Sequence, residues 1–335
     1  MKRICILPGD GIGPEVTECA VRVLKEVSDQ LEFVQADIGQ AAFSRHGSYL
    51  PENTLDLMTK SDSCLFGAVT SLESSEYVSP VLAFRKLLDL YANIRPVRTL
   101  VRTSQTMPID VVIIRENSEG MYTQREEYDD EGVTTLRRVT RKASKRIVDF
   151  AINYALTNGR SKVTCVHKAN VLRASDGLFL RTFREEMDQA GKGLIAEQQL
   201  VDSAAMKLVT SPKIFDVIVT LNLYGDILSD VAAGVAGGLG FAPSGNIGPK
   251  YSVFEPAHGS APDIAGRGIA NPVATILAGA MMLKHLGLPN EAKAVERGVG
   301  NAYASGHLTY DLGGRHGSKS FTDHVVENIS NLEFR

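Results

Sequence analysis

The chain has 335 residues, of which 44% are hydrophobic and 22% charged, and a formal net charge of -3 at pH 7. That length exceeds what one core ordinarily supports, so two lobes are expected, while so balanced a charge gives no reason to invoke nucleic acid or a membrane surface as a partner. Cys5, Cys19, Cys64 and Cys165 are widely spaced and form no C-x-x-C pair, and no apolar run is long enough to span a bilayer. Small buried thiols in a reducing compartment, and hence a cytoplasmic protein, are expected.

In chain order, apolar runs of strand length alternate with amphipathic segments: 3–7 then 15–27, 63–66 then 81–90, 111–114, and 163–166 then 177–190. This alternation predicts parallel strands joined by helical crossovers, an α/β fold. Between the first two segments lies PGDGIGPEV, where Gly9, Gly11 and Gly13 invite a dinucleotide-loop reading. Pro14 stands where G-x-G-x-x-G needs its last glycine, so the glycines are read as the entry turn of a helix that Pro14 begins. From about 123 to 140, polar residues in short alternating runs predict a projecting β-hairpin, and the basic stretch 137–146 after the acidic stretch 126–131 suggests that the hairpin is charge-paired. Residues 215–223 (FDVIVTLNL) read as a strand. From about 234 to 268 the chain is rich in Gly and Pro, which predicts a loop system that ligands approach closely, with helices resuming near Asn271.

Asp226 and Asp230 lie four apart in LYGDILSD and so share one helix face, with Asp202 preceding them in LVDSAAMKL. Carboxylates inside so apolar a stretch need a counter-charge, and a divalent cation on Asp202, Asp226 and Asp230 would supply it; the plainer alternative is a solvated helix face. Arg85, Arg95 and Arg115 each end or interrupt apolar segments. Three guanidinium groups on one site would bind a di- or tricarboxylate bidentately, whereas a lone Arg is usually a surface ion pair. Tyr122 in RENSEGMY and Lys168 in VHKANVL are candidate acid and base, although single residues of these types are more often structural. His258, five residues before Asp263, offers a ring or ribose contact to a nucleotide, or is a loop histidine satisfied by backbone.

Together PGDGIGPEV, LYANIRP, RENSEGMY, HKANVL, NLYGDILSD, PSGNIG, HGSAPDIAG and DLGG make the chain resemble, over essentially its whole length, the metal-dependent β-decarboxylating dehydrogenases. This is the family of isopropylmalate, isocitrate and homoisocitrate dehydrogenases. The resemblance implies two α/β lobes with a central cleft and a projecting hairpin clasp: a discontinuous cofactor-binding lobe of residues 1–96 plus 237–335, and a middle lobe, 97–236, carrying the clasp and the dimer interface. It implies a homodimer, or a tetramer, with shared active sites that Lys168 and Asp202 enter from the partner subunit. Mg²⁺ or Mn²⁺ would sit on Asp202, Asp226 and Asp230. Lys168 would take the substrate hydroxyl proton and Tyr122 would protonate the enolate carbon. Ser79, Arg85, Arg95, Arg115 and Asn170 would hold the substrate, with Asn170 also touching the nicotinamide. NAD would lie on Thr70, Asn170, His258, Gly259, Ser260, Ala261, Asp263, Ile264 and Asn271, where Asp263 accepts ribose hydroxyls and repels a 2′-phosphate. Tyr310 departs from the Pro usual in NAD-using relatives and matches the Tyr of NADP-dependent isocitrate enzymes.

The segment running into Arg85, YVSPVLAFRK preceded by GAVTS, is most similar to homoisocitrate dehydrogenases, which implies oxidation of homoisocitrate to 2-oxoadipate in an amino-acid biosynthetic pathway of the lysine, α-aminoadipate type. Isocitrate and 3-isopropylmalate stay open, because Val78, Val81 and Leu82 present no cation to an additional carboxylate and Ser79 offers it one hydrogen bond. Of other classes, a metal-dependent hydrolase would also cluster aspartates, and a nucleotide-binding module would also use Gly-rich loops. Neither explains Lys168, Tyr122 and three arginines recurring with the metal motif.

Overall fold

The computed structural model describes the backbone of residues 1–73, 77–101 and 106–333. The chain forms two compact units, Met1–Leu88 with Leu100–Ser104 and Gly237–Arg335, and Asp89–Thr99 with Gln105–Ala236.

The first unit opens with β1 (Lys2–Gly9), α1 (Gly13–Val27), β2 (Leu31–Gln35), α2 (Gln40–His46), α3 (Glu52–Thr59), β3 (Ser63–Ala68) and α4 (Pro80–Leu87). β1 lies between β2 and β3 and runs parallel to both. Its middle four residues are buried, as an apolar run covered on both faces requires. Pro14 does open α1, and Gly9 and Gly11 make the entry turn with φ of 76° and 60°.

The second unit continues with β4 (Ala92–Arg98), β5 (Asp110–Glu116), β6 (Gly120–Tyr128), β7 (Val133–Arg138), α5 (Arg141–Thr157), β8 (Lys162–His167), α6 (Ser175–Ala190), β9 (Ile195–Leu200), α7 (Val201–Thr210), β10 (Val217–Thr220) and α8 (Asn222–Ala236). Its sheet order is β4-β5-β10-β8-β9, and β6 and β7 form a separate antiparallel hairpin. Val111, Ile113 and Ile218 pack with Leu208, Leu228 and Ala232 in one buried core that seats α7 and α8 against the sheet. Because β4 pairs with β5 from Ala92↔Glu116 to Arg98↔Asp110, residues before Pro96 fold with this unit as much as those after it.

The chain then returns to the first unit with β11 (Pro243–Ile247), β12 (Ser252–Pro256), α9 (Val273–His285), α10 (Pro289–Ala304) and α11 (Ser318–Glu333).

Four expectations need correction. The strands are not all parallel, since β4–β5 and β11–β12 are antiparallel. The segment 234–268 is not wholly loop, since it holds β11 and β12, whose residues are all buried. The strand expected over 215–223 ends at Thr220, and Asn222 already begins α8. Basic residues of the stretch 137–146 pair with acids outside the hairpin: Arg137 with Asp176, Arg141 with Glu185, Lys145 with Glu186 and Arg146 with Asp89. Asp176, Glu185 and Glu186 all sit on α6, which packs beside α5. No helix among the described residues is long and apolar enough to cross a membrane.

Candidate active site

In the second unit, β5 and β10 are register neighbours, with Thr220 opposite Arg115, so α8 leaves the sheet beside the carboxyl end of β5. Ligands of open α/β sheets gather at such ends. Asn222, Asp226, Ser229 and Asp230 recur at helical spacing along one face of α8. Arg115, only 1% exposed, spends its guanidinium on that face, with Nε and Nη2 donating to Asn222 Oδ1 at 3.0 and 2.8 Å and Nη1 to Asp226 Oδ1 at 2.5 Å. Gly225 makes this possible, because a Cβ there would fall 2.7 Å from the Arg115 side chain.

Arg95 approaches the same face from β4. Its Nη2 lies 3.2 Å from Asp226, and its Nη1 donates to Ser229 Oγ at 2.7 Å and lies 3.4 Å from Asp230 Oδ1. The Tyr122 hydroxyl donates to Asp226 Oδ2, and the Arg115 guanidinium stands 4.9 Å from the centre of the Tyr122 ring. Two nearly buried arginines and two carboxylates thus supply one another's counter-charge, which low-dielectric burial demands. Burial, with Asp226 as acceptor, raises the Tyr122 pKa, so the phenol stays protonated at neutral pH. Burial also raises the Asp230 pKa, against the pull of Arg95 and with the help of the neighbouring Asp226 charge.

Lys168 follows β8 directly, and its Nζ pairs with Asp202 Oδ1 at 2.5 Å from the first turn of α7. That contact is the main reason the Asp202 pKa is lowered. Asn170 is exposed in the turn two residues on. Among the described residues, Asp202 does not gather with Asp226 and Asp230 into one three-ligand cluster. One copy of the chain therefore brings together Arg95, Arg115, Tyr122, Asp226 and Asp230, and separately Lys168 and Asp202.

In the first unit, Arg85 lies in the last turn of α4 and donates through Nη2 to Glu255 Oε1 at 2.8 Å, an oxygen that also accepts from Asn246 Nδ2 at 2.8 Å. Ser79 caps α4 by accepting from Leu82 N at 3.4 Å. The glycine-rich loop is held by backbone. Ile12 N donates to Ser260 O at 2.8 Å, and the Ser260 and Thr70 hydroxyls bond at 2.7 Å. Ala261 takes a left-handed φ of 38° before the turn Pro262–Ile264, which leaves Asp263 exposed, while Ala261 and Ile264 pack on Ile12, Val16 and Ala270.

His258 Nδ1 lies 2.9 Å from Gly259 O, which makes Nδ1 the protonated nitrogen. Nε2 is buried with no hydrogen-bond partner among the described residues, and burial lowers the ring's pKa. The backbone contact foreseen for His258 therefore exists but satisfies only half the ring. Buried Asn271 donates to Asp311 Oδ2 at 2.9 Å and accepts from Val273 N at 3.0 Å, joining the start of α9 to the segment that holds Tyr310. Asn222, Ser229, Glu255 and Asn246 were not foreseen. Asn222 had a readable signal, four residues before Asp226 on the same stripe; the others depend on contacts distant in sequence.

This mixed α/β chain carries a carboxylate–arginine cluster at strand ends, and comparison with known proteins gives its class, a dehydrogenase. The crystal structure of isocitrate dehydrogenase from Methylococcus capsulatus is similar with a TM-score of 0.95 at 40% identity, covering 98% of this chain and 99% of that one. The 3-isopropylmalate dehydrogenase of Methanothermobacter thermautotrophicus is 46% identical over 328 residues, and the homoisocitrate dehydrogenase of Methanocaldococcus jannaschii 42% identical over 343, each over 98% of both chains. The isocitrate/isopropylmalate dehydrogenase family is matched over residues 3–329, and the chain belongs to it. It is an oxidoreductase of the β-decarboxylating dehydrogenase family.

Proposed function

We propose that the protein oxidises and decarboxylates a 3-substituted malate with NAD and a divalent cation, and that homoisocitrate is its preferred acid. The observation that carries the reaction class is the cluster of Arg95, Arg115, Tyr122, Asp226 and Asp230 on one face of α8.

The residues present fit both groups. Asp226 and Asp230 are hard oxygen donors one helical turn apart, Asp230 is 53% exposed, and Asp202, paired with Lys168 through one oxygen and 64% exposed, is accessible as third ligand to a second copy's pair. The partnerless lone pair of His258 Nε2 and the exposed Asp263 carboxylate suit a nucleotide's base and ribose. Thr70, Gly259, Ser260, Ala261, Ile264 and Asn271 complete that loop. When bound, the cation would supply Lewis acidity to the substrate's hydroxyl and carboxylate and NAD would accept the hydride. Arg95 and Arg115 hold the acid's carboxylates, a role that the family resemblance also implies for Arg85 and Ser79. Lys168 takes the C2 hydroxyl proton, Asn170 orients the nicotinamide side, and Tyr122, kept protonated by burial, gives its proton to the carbon that carbon dioxide leaves.

A homodimer with shared sites, localised to the cytoplasm, goes with this reading. Met206 and Val209 on α7 and Leu223 and Ile227 on α8 are exposed large hydrophobics, a patch that suits a second copy and would bring Lys168 and Asp202 to its aspartates.

The S-P-V-x-A-x-R segment favours homoisocitrate. A second reading, 3-isopropylmalate, is favoured by Val78, which is 67% exposed just before α4 and offers an aliphatic substituent an apolar contact. The test is NADH and NADPH formation with Mg²⁺ and each of homoisocitrate, isocitrate and 3-isopropylmalate. We expect the highest kcat/KM for homoisocitrate with NAD. A preference for 3-isopropylmalate would install the second reading, and no oxidation of any of the three would overturn the reaction class.

A further inference from the structure

Three of the chain's seven histidines meet in the first unit, and none of them is among the residues assigned above. His307 lies just after α10, His316 just before α11 and His324 within α11, and each is half-buried. The intervening segment folds back on itself: His307 N donates to Ala302 O, His316 N donates to Leu308 O, both at 3.1 Å, and Thr309 bridges to His316. One ring nitrogen from each histidine lies within 4.8 Å of the others. His307 Nδ1 and His316 Nε2 are 3.3 Å apart. Two nitrogens bound tetrahedrally to zinc at about 2.05 Å stand about 3.3 Å apart, so this pair already has the spacing, and a bound ion would take the place of the hydrogen bond between the two rings.

Two of the opposite ring nitrogens have polar neighbours. His316 Nδ1 lies 3.3 Å from Ser320 Oγ, and His324 Nδ1 lies 3.7 Å from Glu327 Oε2. A hydroxyl or carboxylate on the far nitrogen fixes the tautomer and aims the near one, as in histidines that bind metal. His307 and His324 stack with centroids 3.5 Å apart and planes 13° from parallel, so His324 has only to turn out of the stack for its Nε2 to converge. Burial first, then the neighbouring His324 and His316 rings, lower the His307 pKa, so its lone pair is available at neutral pH.

We propose that His307 Nδ1, His316 Nε2 and His324 Nε2 form a binding site for a divalent first-row transition-metal ion, Zn²⁺ foremost, with solvent in the fourth position. Imidazole ligands select such ions over Mg²⁺, so the site is chemically separate from the aspartates. An ion there ties α10 to α11 and steadies the loop between them, from which Asp311 reaches Asn271.

The test uses the full-length chain without a histidine tag, stripped with chelator and returned to excess Mg²⁺ so that carboxylate sites are filled. Co²⁺ is then added while its visible d–d absorption is followed, and Zn²⁺ is added in a calorimeter. The expected result is one ion per chain with the intense absorption of a tetrahedral nitrogen site, more than about 100-fold weaker binding in His316→Gln and in His324→Gln, and about 10-fold weaker binding in Glu327→Gln. Zn²⁺ should raise the melting temperature of the wild type and not of the variants. Absence of stoichiometric binding in excess Mg²⁺, or binding as tight as wild type by both folded histidine variants, would overturn the proposal.

Discussion

The α8 face of the second unit and the 258–264 loop of the first are built in opposite ways. On α8, side chains do the holding: Arg95, Arg115 and Tyr122 converge on Asp226, and every partner is itself charged or strongly polar. In the loop, backbone does it: Ser260 O receives Ile12 N, and Gly11 admits the close approach. A buried charged side chain such as Arg115 cannot be removed without taking a donor from its partners, whereas a backbone-built loop tolerates side-chain changes and fails when the backbone is displaced. Substitutions should therefore cost most at side chains in one region and at a glycine in the other.

The largest expected effect is on catalysis at the α8 face. Tyr122→Phe should lower kcat by roughly 10²–10⁴-fold, the span typical of a lost general acid, and should impair decarboxylation more than hydride transfer. Supplying the 2-oxo tricarboxylate intermediate and following carbon dioxide release checks this, and wild-type release by the variant would remove Tyr122 from that role.

Next comes stability. Arg115→Ala removes a buried guanidinium, leaves buried Asn222 Oδ1 without its donor and takes one of two arginines from Asp226, and should lower unfolding free energy by about 1–3 kcal/mol in urea titrations. Asp230→Asn, at a half-exposed position, should change it by less than about 0.5 kcal/mol while turnover collapses. Equal stability losses for the two would erase the contrast between structural pairing and ligand supply. From the sequence alone Asp226 would look as dispensable for folding as Asp230; its two arginine partners make it otherwise.

In the loop, Gly11→Ala would set a Cβ 2.0 Å from Ser260 O at a φ of 60°, and should raise KM for NAD at least tenfold, on the order of 1.4 kcal/mol, with little change in the α8 chemistry. The smallest effect should follow Asp263→Ala, about 1 kcal/mol in NAD affinity with improved use of NADP, read from the ratio of kcat/KM values. A larger penalty at Asp263 than at Gly11 would mean that the loop, too, is built on side chains.

Much of this was legible in the chain because the signals were local. The apolar runs of β1, β3, β5, β8 and β10 announced themselves, and Asp226 and Asp230 stood out as charges in an apolar stretch. β11 was not legible, because Pro243, Ser244, Gly245 and Asn246 read as turn residues; they form a buried strand because β12 pairs with them in register and Glu255 satisfies Asn246. The mutual pairing of Arg95 and Arg115 with α8 was hidden for a similar reason, as more than a hundred residues separate donors from acceptors. The histidine cluster had no local signature either, since His307, His316 and His324 meet only when the segment after α10 folds back onto α11.

The central claim is that Asp226 and Asp230 hold a divalent cation on which oxidation of the acid depends. Its most direct measurement is the rate of NADH formation from the preferred acid before chelation, after exhaustive chelation, and after return of Mg²⁺ or Mn²⁺, in wild type and Asp230→Asn. The account predicts loss of activity on chelation, recovery in the wild type and no recovery in the variant. Undiminished oxidation by chelated wild type, or full recovery by the variant at the same Mg²⁺ concentration, would contradict it.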